Sequence, residues 1–261
     1  MLIHISSQKH MMFRIIPSPP CIMLSNTLIF ADPHLGLSIV GYKLSRKSEV
    51  SMLRGEVDSI VQPILSLKVR LKKIIILGDI KDPLGLPKKT IREAVYYFFY
   101  RLQNIADDII IVRGNHDGRL ASILDEYHIN ASILNFVSIK HKGKTALLGH
   151  GHMKLPHEKI IGSDYIFIGH VHPASSLGEK SWIFSRFSIV TNKSRPDTNN
   201  TKKHTTRLII FPSSNPRLIG TVISSRESVS RILSRIIPRE YTINIHYAGV
   251  FDNKFNLIEI L

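Results

Sequence analysis

Seven side chains able to bind a divalent cation, Asp32, His34, Asp79, Asn115, His150, His170 and His172, occur in one recurring setting: a turn behind a short aliphatic run. Asp32 and His34 follow TLIFA, Asp79 follows IIILG, and Asn115, His116 and Asp117 follow IIIVRG. His150 follows ALLG, and His170 and His172 follow YIFIG. Any one of these stretches has an ordinary explanation. DPH reads as a turn capped by its aspartate, and an Asn-His-Asp turn or a His-x-His pair is weak evidence alone. The i, i+2 spacing of His170 and His172 puts both on one face of an extended strand, as a shared ligand would require. Together, two Asp, one Asn and four His at five strand ends form the inventory of a two-metal hydrolytic site. Two cations about 3.5 to 4 Å apart repel and need an anionic bridge, for which Asp79 is the candidate. Oxygen and imidazole ligation without thiolate suits Mn, Fe, Zn, Ni or Co better than Ca or Mg. A water held between such ions ionises near neutral pH and attacks a phosphoryl centre whose growing charge the ions stabilise.

The elements that must position these residues are legible as alternating patterns. TLIFAD (27–32), KIIILGD (73–79), DIIIVRGN (108–115) and DYIFIGH (164–170) read as buried strands. RKSEVSMLRGEVDSIVQPILSL reads as a helix with Pro63 near its last turn, and KKTIREAVYYFFYRLQNI as a second helix. FVSIKHKGKTALLGH predicts a hairpin turning at Lys142-Gly143, while RLIIFPSSNP and YTINIHYAGVFDNKFNLIEI supply late, antiparallel strands. Continuous apolar strands separated by helices imply sheets covered on both faces, an α/β sandwich. In open α/β sheets, ligands bind at the carboxyl ends of the strands, where all the named residues fall.

DPH (32–34), GDIKD (78–82), GNHD (114–117), GHGH (149–152) and GHVH (169–172) resemble, in order, the five motifs of the calcineurin-like metallophosphoesterase superfamily. DPHLG and RLIIFPSSNPRLIG further resemble the small archaeal phosphoesterases related to SbcD and those associated with a bacterial DNA ligase. The resemblance implies a four-layer α-β-β-α sandwich of two mixed sheets flanked by helices. It implies that Asp32, His34 and His172 hold one divalent metal, manganese foremost, and that Asn115, His150 and His170 hold the other, with Asp79 bridging. By the same likeness His116 contacts the scissile phosphate and protonates the leaving oxygen, and Asp117 orients it. Asp82, His152 and Arg113 are further candidates for supporting or substrate contacts.

The 261 residues carry a formal charge of +15, which favours phosphate-bearing partners, nucleic acid among them. Arg231, Arg235 and Arg239 are spaced to share one basic helix face, ended near Pro238. A single cysteine, Cys21, excludes an internal disulfide framework and suits a reducing, cytoplasmic setting. No apolar stretch approaches the roughly 18 residues of a membrane span, and the first residues lack a secretory signal. We read 1–261 as one domain, with 1–10 an N-terminal extension and 191–207 a mobile basic loop. The expected activity is metal-dependent hydrolysis of a phosphodiester; a phosphomonoesterase, a cyclic-nucleotide phosphodiesterase and a non-catalytic scaffold of the same fold are the alternatives.

Overall fold

A computed structural model describes residues 13–191, 203–254 and 256–261. The first sheet is ordered along the chain: β1 (Arg14–Pro17), β2 (Pro20–Leu24), β3 (Thr27–Ala31), β4 (Leu71–Leu77), β5 (Ala106–Val112) and β6 (Ser132–Leu134). Its first three strands meander antiparallel, whereas β3, β4, β5 and β6 are parallel. The helices α1 (Arg46–Leu65), α2 (Lys89–Gln103) and α3 (Leu120–Glu126) make the crossovers that parallel pairing demands.

The second sheet contains β7 (Val137–His141), β8 (Lys144–Leu148) and β9 (Tyr165–Ile168), then β11 (Trp182–Thr191) and β12 (Lys203–Ile210), then β14 (Tyr241–Phe251) and β15 (Leu257–Ile260). Across it the order runs β15-β14-β11-β12-β9-β8-β7, parallel only at β12/β9 and β9/β8. The two-residue strands β10 (Pro173–Ala174) and β13 (Thr221–Val222) pair apart from it. The helices α4 (His157–Ile161) and α5 (Arg226–Ile236) complete the set.

Strand periodicity builds the layers. In β4, Ile74 and Ile76 face α1 and α2, while Ile75 and Leu77 face the second sheet; β3 and β5 repeat the pattern. In β9, Phe167 enters the inter-sheet core, and Ile166 and Ile168 lie against Val229, Leu233 and Ile236 of α5. The result is the four-layer α-β-β-α sandwich of two mixed sheets. No described helix is long and apolar enough to cross a membrane.

Several expectations are revised. Thr191 closes β11 and Lys203–Arg207 open β12, so the loop expected over 191–207 can span only 192–202, which lie outside the described residues. The extension expected at 1–10 also lies outside them. Helix α5 ends at Ile236, so Arg231 and Arg235 share its surface but Arg239 falls beyond it. Strands β1, β2 and β11 carry no signal in the sequence reading; prolines bound the first pair, and Ser185 and Ser188 interrupt the apolar run of the third.

Candidate metal centre

Five loops converge where the strands of both sheets end. The loops after β3 and β4 are stitched together by the His34 N–H on the Asp79 carbonyl (2.8 Å) and the Leu35 N–H on the Ile80 carbonyl (2.9 Å). Those after β8 and β9 are joined by the Gly169 N–H on the His150 carbonyl (3.0 Å). The two sheets meet through Asp32, whose carboxylate contacts His150 Nε2 (2.9 Å) and accepts the His170 N–H (2.8 Å). Gly169 admits this approach, because a Cβ there would stand 2.5 Å from Asp32 Oδ2. Asp32, His34, Asp79, His170 and His172 all adopt left-handed backbone, with φ between 42° and 64°. Non-glycine residues in that region cost about 1 to 3 kcal/mol each, a strain that concentrates at functional sites.

This geometry alters one expectation. Strand β9 ends at Ile168, and His170 and His172 lie on left-handed turns, not on one face of an extended strand. They join different clusters. Asp32, His34 and His172 form one, and Asp79, His150 and His170 another, the ligand-type atoms of each lying within 4.8 Å of one another. Asp79 Oδ2 reaches both, 3.5 Å from His34 Nε2 and 3.4 Å from His150 Nε2. His34 Nε2 and His172 Nε2 face each other at 3.3 Å, both close to buried carboxylates.

Two carboxylates, Asp32 and Asp79, are almost wholly buried here. Burial opposes their ionisation, but hydrogen bonds from His150 to both, and from His172 to Asp32, hold each below the usual carboxylate range. Burial likewise disfavours a proton on His150, yet the two carboxylates outweigh it and raise this imidazole to about 10. His34 is raised on the same balance, with Asp82, Asp32 and Asp79 against burial. His170 is lowered to about 4 by burial and by the charge on His150. The site therefore demands positive charge, which protons on imidazoles can supply. Converging nitrogens and buried oxygens match the donor chemistry of divalent transition metals.

The remaining candidates take distinct positions. Asn115 is exposed, and its carboxamide has no hydrogen-bond partner among the described residues. His116 is half-buried, its ring 5.0 Å from that of His34, and with His34 and Asp82 it makes a third cluster. Its Nδ1 is bonded to the Asp82 carbonyl, and its N–H donates to Asp79 Oδ1 (2.8 Å). The expected orienting role of Asp117 is not what the contacts give. Its carboxylate accepts the N–H groups of Asp79 (3.0 Å), Ile80 (2.8 Å) and Gly114 (2.8 Å), and none of its bonds reaches the His116 ring. Asp117 clamps the second and third motif loops together; the Asp82 carbonyl holds His116. The Asp82 carboxylate is 3.4 Å from His34 Nδ1, and His152 Nδ1 is 2.9 Å from His150 Nδ1. Burial and the neighbouring His150 hold His152 below the usual imidazole range, and its ring packs against His150 on the side away from the Asp32 contact at Nε2. Arg113 is exposed, and its N–H extends the sheet by donating to Leu134.

Four supporting residues escaped the sequence reading. Asn215 donates to the Pro33 carbonyl (2.8 Å) and to Glu56 (2.9 Å), and the Ser213 hydroxyl donates to the Asp32 carbonyl (2.7 Å). Glu56, buried among Leu53, Val57 and Ile60 on α1, also accepts from the Gly36 N–H and the Ser38 hydroxyl. Its signal is a lone acid on an apolar helix face. Lys81 is fully buried, and its ammonium donates to the carbonyls of Pro83, Gly85 and His116.

No family model matches the chain, and no curated protein does. Solved structures similar to it include a Pseudomonas putida nuclease MPE, 19% identical, with a TM-score of 0.45 and coverage of 82% of this chain and 91% of that one. A novel archaeal phosphodiesterase is 15% identical over 90% of this chain and 99% of its own, with a TM-score of 0.38. Vps29 of Chaetomium thermophilum is 12% identical, with a TM-score of 0.35 and coverage of 90% and 92%.

Proposed function

We propose that the chain is a binuclear metal-dependent phosphodiesterase of the calcineurin-like metallophosphoesterase type. The observation that carries this reading is the pair of adjoining Asp/His clusters, spanned by Asp79 Oδ2, at the strand ends of both sheets. Asp32, His34 and His172 would hold one cation and Asn115, His150 and His170 the other, with Asp79 shared. Two divalent cations bound there supply Lewis acidity toward phosphoryl oxygens and lower the pKa of an attacking water.

The chain's own residues supply the rest. The Asp82 carbonyl engages His116 Nδ1, which leaves Nε2 as the nitrogen free to meet substrate. In its imidazolium form the ring keeps the Nδ1 proton on the Asp82 carbonyl and passes the Nε2 proton to the ester oxygen as its bond to phosphorus breaks, so that the alcohol leaves neutral and the ring remains as the neutral Nδ1–H tautomer. The clamp from Asp117 keeps the loops in register, and the His152 contact holds the His150 ring in place. A non-catalytic scaffold has no need of His116 or of two adjoining Asp/His clusters.

The test is hydrolysis of bis(4-nitrophenyl) phosphate and of 4-nitrophenyl phosphate with added manganese, against a chelator control. Turnover of the diester, abolished by chelation and reduced about 10²- to 10⁴-fold in His116→Ala with metal content unchanged, is the expected result. Preference for the monoester would replace the phosphodiesterase with a phosphomonoesterase. No metal-dependent turnover of either ester would leave the scaffold.

A further inference from the structure

Beside the candidate metal centre a groove of about 280 Å³ runs between α5 and the turn after β9. His170 itself is among its lining residues. Val171, Ile223 and Ile232 give it an apolar floor, and Arg231 and Arg235, one turn apart on α5, line it with positive charge; among the described residues no carboxylate lines it. Among the described residues Arg231 pairs only with Glu227 of its own helix, at 2.6 Å, and both side chains are more than two-thirds exposed. Such a pair contributes little and exchanges readily for a phosphate. Arg235 has no carboxylate within ion-pair reach among the described residues.

We propose that this groove binds the segment of an unpaired polynucleotide strand next to the scissile phosphate, with Arg231 and Arg235 on its neighbouring phosphates. The proposal rests on the phosphodiesterase reading and deepens it. A phosphomonoester or an isolated small diester has no neighbouring phosphate, so these guanidiniums would discriminate for a polymer. Their planar forks match phosphate oxygens in pairs. The apolar floor gives an exposed base or sugar a place that does not depend on sequence, which a base-paired duplex, offering its phosphates outermost, does not exploit. Among the described residues no Phe, Tyr or Trp lines the groove, so affinity should come chiefly from charge and be steeply salt-dependent.

The experiment measures equilibrium binding of labelled oligothymidylate, oligouridylate and duplex DNA to the full chain in chelator, between about 50 and 200 mM salt. Wild type is compared with the double variant Arg231→Ala/Arg235→Ala and with a charge-matched control, Lys68→Ala/Arg70→Ala, at the opposite end of β4 from Asp79. The groove variant should bind a single strand about tenfold more weakly, with a log–log salt slope shallower by about 1.4, or 0.7 per lost contact. The control variant should bind like wild type. Preference between the two oligomers identifies the strand as DNA or RNA. Equal losses in both variants, no loss in either, no binding of either oligomer, or tighter binding of duplex would each overturn the proposal. With manganese, the ratio of kcat/KM for the oligomer to that for bis(4-nitrophenyl) phosphate should also fall about tenfold in the groove variant. If wild type hydrolyses neither, the phosphodiesterase reading fails by itself, while binding in chelator still decides the groove.

Discussion

Lys81 occupies the least ordinary environment of any single side chain near the site. Burial pulls its ammonium below the usual lysine range despite Asp117, Asp79 and Asp82 nearby, and its donors are spent on main-chain carbonyls. Through His116 it fixes the turn that carries the proposed proton donor, at 2.6 Å from that residue's carbonyl. Lys81→Met should therefore lower stability by about 1 to 3 kcal/mol, since it strips a buried donor from part-buried main-chain carbonyls. A urea midpoint lowered with unchanged slope, together with a reduced kcat at normal metal content, is the expected outcome. Metal chemistry restricts ligands to a few residue types, so Asp32, His34, Asp79, His150, His170 and His172 stand out in the sequence. Lys81 does not, and Asp117 stands out for another role, because what they do depends on where other residues' carbonyls and N–H groups come to lie.

Among the elements, the legible ones are those whose burial is two-sided and aliphatic. Strands β3, β4, β5 and β9 announce themselves because nearly every position faces a core. Strand β11 lies between β14 and β12 yet carries buried serines, one of which, Ser185, satisfies its hydroxyl on the Tyr247 carbonyl. That pairing cannot be foreseen without the neighbouring strand. The stretch PSSNP was quoted only as a likeness; its task, bracing the Asp32–His34 turn from the far end of β12, needs the sheet order to be seen. Helix α1 joins this brace through Glu56. Glu56→Gln preserves its shape but turns an acceptor into a donor facing the Gly36 and Ser38 N–H groups. Metal affinity should weaken about 10- to 100-fold, as for other outer supports of ligands, and calorimetric titration with manganese would measure it. An unchanged affinity would reduce Glu56 to a packing role.

On the scale of the whole molecule, the site joins the two sheets at their strand ends, so its charge state is coupled to global stability. In chelator, His150 titrates at about 10 in the folded protein against 6.5 when unfolded. A raised imidazole stabilises the fold fully below the unfolded value and loses that contribution as pH rises toward the folded one. His34 acts in the same direction. Stability without metal should thus fall from near pH 6.5 upward, by about 1.4 kcal/mol per pH unit for one fully linked group. The lysines oppose this only higher up, because Lys180, lowered by burial to about 8, begins to regain stability as it loses its proton there. With saturating manganese the sign reverses between these limits: deprotonated imidazoles are the ligands, so metal affinity, and the stabilisation of RT ln(1 + [L]/Kd) that follows from it, grows with pH. Thermal melts at pH 6.5, 7 and 7.5, roughly the span of the His window, should diverge, the chelated protein losing Tm as the loaded one gains. In Asp79→Asn the metal-dependent rise should vanish at every pH. Parallel curves for the chelated and loaded wild type would show that the clustered imidazoles do not exchange protons for metal.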